Sequence, residues 1–396
     1  MNHLKPLTFA SAFALLASAT FPSQAGTIVS APAGKSTMTT EAPTEESIFD
    51  KLWSIPKLYK SDSNPFIEEL DFTGRYQGDY FDVESRKGDT SFFETRRFRL
   101  GLEAAFAERH IILKADLDTN LRQYNTRSVF YNRMTNLYIK FHLNDAFNIV
   151  VGKQEPKFGY DRMVSDNYQD FFERSFFDDQ FMPGPDYTAG VTVNGKVGNL
   201  GYQASVYSGN IDKEFGQFNG GQSELAEISY DFSKAFNSNR ALWAIDYLHI
   251  GGINADTNIF QSFHNGLATY FDFKKDRFGF VTQFAYGNGI KAKGDIYEIM
   301  LMPTFDITKK LQLVARYQLG LADGANGITT LNRQEKTVGK FTGDTYNAGY
   351  LGLNYFIYGE KLKLMTGIQY ENLSGGSGPN AGNSGWTFLT GLRIFW

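Results

Sequence analysis

The sequence has 396 residues, 21% of them charged, a formal net charge of -4, 36 Phe, 22 Tyr and no Cys. That balance lacks the basic excess of a nucleic-acid binder, and the missing cysteines exclude thiol nucleophiles, Cys-ligated zinc, iron–sulfur clusters and disulfides. An apolar fraction of 42% is too high for wholesale disorder, yet beyond the first two dozen residues no run approaches the roughly 20 apolar positions that a membrane-crossing helix needs.

Residues 1–25 read as a secretory signal. Lys5 supplies the positive start, Leu7 to Leu16 is mostly apolar, and Ser23-Gln24-Ala25 offers the small-x-small pattern cleaved before Gly26. Residues 26–69 read as a flexible periplasmic leader, because 27–45 are rich in Thr, Ala and Pro without hydrophobic periodicity. Within it, 46–59 read as a short amphipathic turn interrupted by Pro56.

From Leu70 the dominant signal is period two. Leu70, Phe72, Gly74, Tyr76, Gly78 and Tyr80 fall on one side, and Asp71, Thr73, Arg75, Gln77 and Asp79 on the other. That is a strand with one apolar and one polar face. The last twelve residues do the same, with Trp386, Phe388, Thr390, Leu392, Ile394 and Trp396 on the apolar side. Sixteen such runs lie between residues 70 and 396. Tight turns, as at 107–109, 144–145 and 274–276, alternate with longer loops, of which the third spans 154–186. Short turns on one side, long loops on the other and strands of about ten residues predict an all-β, transmembrane, antiparallel up-and-down barrel of sixteen strands over 70–396, with both termini in the periplasm.

The chemistry of the two faces separates this barrel from a soluble sheet. The apolar faces are aromatic near strand ends and mixed with small residues between, as in Phe278, Phe280, Thr282, Phe284 and Tyr286, which suits lipid bordered by headgroup belts. The opposite faces carry Arg97, Arg99, Lys114, Asp116, Glu298, Arg316 and Lys363 deep within strands. Unpaired charge is prohibitive in a dry core and inexpensive in a watery lumen. A barrel of sixteen strands is wide enough to leave an aqueous channel.

Catalytic patterns fail. None of the five histidines pairs with another at metal-ligand spacing. Gly190 to Lys196 imitates a phosphate loop, but Val197 stands where Ser or Thr must meet magnesium. Asp116 to Asn120 opens like a calcium loop, but Leu121 and Arg127 replace its Gly and Glu. His264 with Ser262 is the candidate for a hydrolase and lacks a nucleophile elbow. The sequence therefore predicts no enzyme, no cofactor and no metal.

Glu94-Thr95-Arg96-Arg97-Phe98-Arg99-Leu100-Gly101-Leu102-Glu103 resembles the arginine-rich second strand of the phosphate-selective porins of Gram-negative outer membranes. Val151 to Gly159, followed by Glu173-Arg174-Ser175, is similar to that family's fifth strand and the opening of its third loop. Ile394-Phe395-Trp396 resembles the C-terminal signal read by the outer-membrane assembly machinery, with Trp in place of the usual Phe. The resemblance implies a homotrimer in outer-membrane lipid, a third loop folded inward to narrow the pore, and basic residues that guide phosphate or other small anions. Carried over, the anion path includes Arg75, Arg97 and Arg99. Parity adds Lys114 and Lys140, and Lys157, Arg162 and Arg174 are the third loop's cations. Arg suits phosphate through its planar fork, Lys as a point charge.

The charge count opposes a simple anion filter. Loop 154–186 sets those three cations against Glu155, Asp161, Asp166, Asp170, Glu173, Asp178, Asp179 and Asp186, a net of -5. Acid on an inward loop facing a basic wall resembles the transverse field of a general diffusion porin. The expected function is passive diffusion of small hydrophilic solutes through an outer-membrane porin, with phosphate or anion preference to be decided.

Overall fold

A computed structural model describes residues 47–64, 66–121, 130–182, 187–209, 214–215, 221–251, 263–290, 294–330 and 334–396. The expected signal segment 1–25 and the first part of the leader lie outside the described residues. The rest of the leader region holds helix α1 (Ile48–Ser54) and strand β1 (Lys57–Lys60). Ser47 and Asp50 form a reciprocal capping box that starts the helix.

The barrel follows. Its first half is β2 (Ile67–Ser85), β3 (Gly88–Phe106), β4 (Ile111–Thr119), β5 (Tyr131–Asn144), β6 (Phe147–Gln154), β7 (Thr188–Val197), β8 (Leu200–Ser208) and β9 (Gln222–Asp231). Its second half is β10 (Arg240–Gly251), β11 (Phe263–Lys275), β12 (Phe278–Gly289), β13 (Ile296–Asp306), β14 (Leu311–Ala322), β17 (Thr345–Tyr358), β18 (Leu362–Ser374) and β19 (Asn383–Phe395). Between β14 and β17 a small hairpin, β15 (Ile328–Thr329) with β16 (Thr342–Gly343), is separate from the barrel sheet. Each barrel strand pairs antiparallel with its chain neighbour, and β19 closes on β2. All sixteen expected strands are present, mostly within two or three residues of their expected ends. The first runs longer at both ends than the alternation suggested.

The barrel is inside-out relative to a soluble fold. Leu102, Val191, Ile228, Phe284, Tyr317, Leu351, Ile368 and Phe388 are exposed on its outer surface, whereas Asp79, Asp246, Glu298, Arg316, Asn354 and Lys363 are buried within. Alternation with lipid outside and polar groups inside produces this pattern. Among the described residues no helix is long and apolar enough to cross a membrane.

The interior departs from a uniformly watery lumen. Phe158, Phe176, Phe177 and Phe181 of the third loop join a buried apolar cluster with inward-facing Leu248, Phe263, Ala268 and Ala285. Phe171 and Phe172 join a second with Phe81, Met300, Val314 and Met365. Six loop phenylalanines thus lie against one wall, where a few inward positions are apolar and close the space with good packing.

Outside, β1 extends the sheet beyond the end of β19. Lys57 and Lys60 pair with Asp71 and Glu69 of β2. Trp53 Nε1 donates to the Phe395 carbonyl at 2.7 Å, and the Phe49 ring stacks on Tyr358 at 5.4 Å. The segment bridges the seam where the first and last barrel strands meet.

Candidate functional site

The third loop carries two short helices, α2 (Tyr160–Met163) and α3 (Phe176–Phe181). Its backbone is fastened along the wall from β10 to β18. Asp246 accepts from the Gly159 N–H at 2.7 Å, Gln283 from Tyr160 at 2.8 Å, Gln318 from Phe176 at 2.6 Å and Glu298 from Phe177 at 3.3 Å. Arg316 donates to the Glu173 carbonyl at 2.9 Å, Asn354 to that of Asp170 at 3.1 Å and Lys363 to that of Gln169 at 2.7 Å. An inward loop must satisfy its N–H and C=O groups away from bulk water. The inward polar side chains of this wall do that, which is why Glu298, Arg316 and Lys363 sit deep in strands.

The loop therefore divides the lumen. Between it and the wall from β2 to β8 lies a cavity of about 350 Å³. Arg75, Lys114, Lys140 and Lys157 line it, with Glu155 and Asp166 as its carboxylates and Tyr138, Asn136, Thr192 and Gln203 as neutral polar groups. On the loop's far side, a second, much smaller space of about 50 Å³ meets Asp161, Asp170, Glu173 and Asp272 together with Arg240 and Lys274.

Asp166 holds the loop to the basic wall. Its carboxylate lies 3.2 Å from Arg75, 3.5 Å from Arg97, 3.8 Å from Arg99 and 2.7 Å from Arg174. Gln77 donates to its backbone carbonyl at 3.2 Å and accepts from Arg97 at 2.8 Å. Burial alone would push this carboxyl up. The Arg174, Arg97, Arg75 and Arg99 guanidiniums overcome that and hold it well below the usual carboxylate range.

The expected anion-path residues fall into three groups. Arg75, Lys114, Lys140 and Lys157 reach the cavity. Lys114 pairs with Glu103 at 3.0 Å and Lys157 with Glu155 at 2.9 Å. Arg97 and Arg99 stand behind them, 8% and 4% exposed, with Arg99 donating to the Tyr187 hydroxyl at 2.6 Å. Arg162 and Arg174 are not part of the cavity lining. Arg162 is 1% exposed, grips Asp178 with two nitrogens and meets Glu155 at 3.0 Å. Arg174 bridges Glu155 and Asp166, both at 2.7 Å. A loop folded into a barrel must compensate its own buried charges, and these two arginines do so.

The transverse-field expectation changes for the same reason. Glu173 is bound to Arg96 through two hydrogen bonds of 2.6 and 2.8 Å, Asp178 to Arg162, and Asp161 accepts from the Ser175 N–H at 2.6 Å. Asp186 lies outside the described residues; of the other seven loop acids, the cavity lining contains Glu155 and Asp166.

Alternation missed Arg96. Gln77 pairs with Arg97 but Gly78 pairs with Thr95, so Arg96 is the extra residue of a bulge. A bulge turns two successive side chains toward one face, and both Arg96 and Arg97 reach the lumen. The adjacent Arg-Arg pair on an alternating strand is the sequence trace of this. Arg133 was also missed; it lies 3.7 Å from Asp118, which also meets Arg99 at 3.6 Å.

The hydrolase candidate gains no support: His264 lies on β11, and Ser262 is outside the described residues. No group of three metal-ligating side chains gathers among the described residues.

Residues 70–238 match the family model described as phosphate-selective porin O and P. No curated protein sequence matches significantly. Among solved structures, the chain is similar to the outer membrane channel DcaP of Acinetobacter baumannii, with 13% identity and TM-score 0.55, covering 85% of this chain and 99% of that one. OprB of Pseudomonas putida gives 13% identity and TM-score 0.56, covering 83% and 94%. A variant of the Rh. blastica porin gives 13% identity and TM-score 0.53, covering 83% and 100%.

Proposed function

We propose that this chain, a Gram-negative outer-membrane channel whose residues 70–238 match the phosphate-selective porins, passes small hydrophilic solutes by diffusion with a preference for phosphate and other small anions. The observation that carries the preference is the charge of the cavity. Four cations, Arg75, Lys114, Lys140 and Lys157, face it against two carboxylates, each already within ion-pair distance of an arginine. Behind them Arg97, Arg99 and Arg133 add positive potential.

Such a surface attracts anions without trapping them. Conduction needs binding favourable enough to admit an ion and weak enough to release it, and cations already shared with carboxylates provide moderate sites. Outer-membrane lipid contacts the apolar exterior, the aromatic C-terminus ending in Trp396 is read by the assembly machinery, and three copies associate as in the family that the sequence resembles.

Planar-bilayer recording under a salt gradient tests the reading. The expected result is a reversal potential of anionic sign and a chloride current that inorganic phosphate reduces. Cation preference without phosphate block would leave a general diffusion porin.

A further inference from the structure

We propose that Asp166 is a tethered stand-in for the permeating anion, occupying an oxyanion site built by Arg75, Arg97, Arg99 and Arg174 that a mobile oxyanion takes over by displacing it. The inference rests on the anion reading above and adds to it the regulation of the site by the protein's own loop.

The geometry carries it. One carboxylate lies within 4 Å of four guanidiniums from three separate parts of the chain, β2, β3 and the loop itself. A structural ion pair needs one partner; four arginines around one oxyanion is the arrangement that recognises a ligand with several acceptor oxygens. Counting the neighbours bound to the same arginines, Arg75, Arg97, Arg99, Arg133 and Arg174 face Asp118, Glu155 and Asp166, so positive charge remains in excess with Asp166 in place. Arg75 and Asp166 also border the cavity, so an incoming anion reaches the cluster directly. The carboxylate sits on the loop segment 164–168, between α2 and the Phe171–Phe172 anchor in the apolar cluster. In the exchange this segment is the part that shifts, giving up the Gln77 hydrogen bond to the Asp166 carbonyl at 3.2 Å, while the stretches fastened on either side stay.

Displacement is an exchange in which no bond is broken covalently: a dianion takes the guanidinium hydrogen bonds and the Asp166 carboxylate turns to the water of the cavity. A dianion with three or four oxygens satisfies more of the guanidinium donors than one carboxylate does, whereas chloride satisfies fewer. The tether therefore filters against halide occupancy and yields to oxyanions.

The test uses the full-length channel in planar bilayers with inorganic phosphate titrated against chloride current. Asp166→Asn is expected to lower the phosphate concentration for half block about tenfold, the ratio of one charge-assisted bond no longer in competition. Asp166→Glu, which keeps the charge, is expected to stay near wild type. A folded Asp166→Asn channel whose half-block concentration is unchanged or raised overturns the inference. If that variant does not fold, amide exchange on the wild-type protein decides: phosphate should accelerate exchange at residues 164–168 relative to chloride at equal ionic strength, and unchanged or slowed exchange overturns it. A wild-type channel that prefers cations sinks the anion reading itself. An anion-preferring wild type with an indifferent Asp166→Asn sinks the tether alone.

Discussion

Trp396 fills the space that a side chain at Gly74 would take: a Cβ built there comes 2.6 Å from the indole Cε2 and closer still to Cζ2. The two backbones also exchange hydrogen bonds of 3.0 and 3.1 Å. Trp396 thus continues the ladder onto the first barrel strand, and the absence of a side chain at position 74 leaves room for its indole. Gly74→Val should disrupt this seam at a cost of about 1–3 kcal/mol from overpacking. The check is heat-modifiable migration on a detergent gel, where the variant is expected to lose its compact band at a lower temperature. Equal temperatures would mean the indole swings away freely.

The α1–β1 segment bridges the same seam. Trp53→Phe keeps the ring beside Tyr358, 5.0 Å between centroids in the native protein, but removes the hydrogen bond to the Phe395 carbonyl. A net loss of about 1 kcal/mol is expected. The urea midpoint of the micelle-bound barrel should fall, and a constant midpoint would show that the segment contributes nothing to closure.

Loop fastening predicts a conductance phenotype. Gln318 accepts the Phe176 N–H at 2.6 Å in a buried setting. Gln318→Leu leaves that donor unpaired, a penalty of about 1–3 kcal/mol, so the start of α3 should lift from the wall. Single-channel steps are expected to become noisier and to change in size. Recordings indistinguishable from wild type would mean the phenylalanine packing alone holds the loop.

Cations that face the cavity and cations that hold the loop should separate by assay. Lys140→Gln is expected to move the reversal potential toward zero with no loss of stability, because Lys140 borders the cavity and is only partly buried. Arg162→Gln abandons a buried partner, Asp178, and should destabilise the loop by about 3–5 kcal/mol. Identical behaviour of the two variants would mean that cavity-facing and loop-holding cations are not separate groups. Neutralising Arg97 and Arg99 together should lower anion permeability.

The sign of the pH response follows from Asp166. Its carboxyl is held below the usual range, so its ion pairs are fully present above the unfolded value of about 3.9 and are lost only as pH falls through the lower folded value. Anion selectivity should stay flat between about pH 8 and about pH 5. A titration of the reversal potential with a step inside that window would show that another group controls the path.

Much of the molecule is written locally in the chain. A strand with lipid on one side and water or protein on the other must alternate, so the sixteen runs, the closed antiparallel order and the side taken by Arg75, Arg99 or Lys114 could be read directly from residues two apart. Even a failure of parity, at Arg96, leaves a trace in its neighbour Arg97. Parity assigns a side chain to the lumen and stops there. It does not say what stands across the lumen, and Asp166 meets Arg75 from 91 positions away. Only tertiary structure decided that Lys363 and Arg316 grip loop carbonyls, that Arg162 and Arg174 neutralise the loop's own acids, and that a loop of net negative charge leaves a mainly basic cavity. The physical reason is that electrostatic pairing depends on distance through space, which alternation along a strand does not encode.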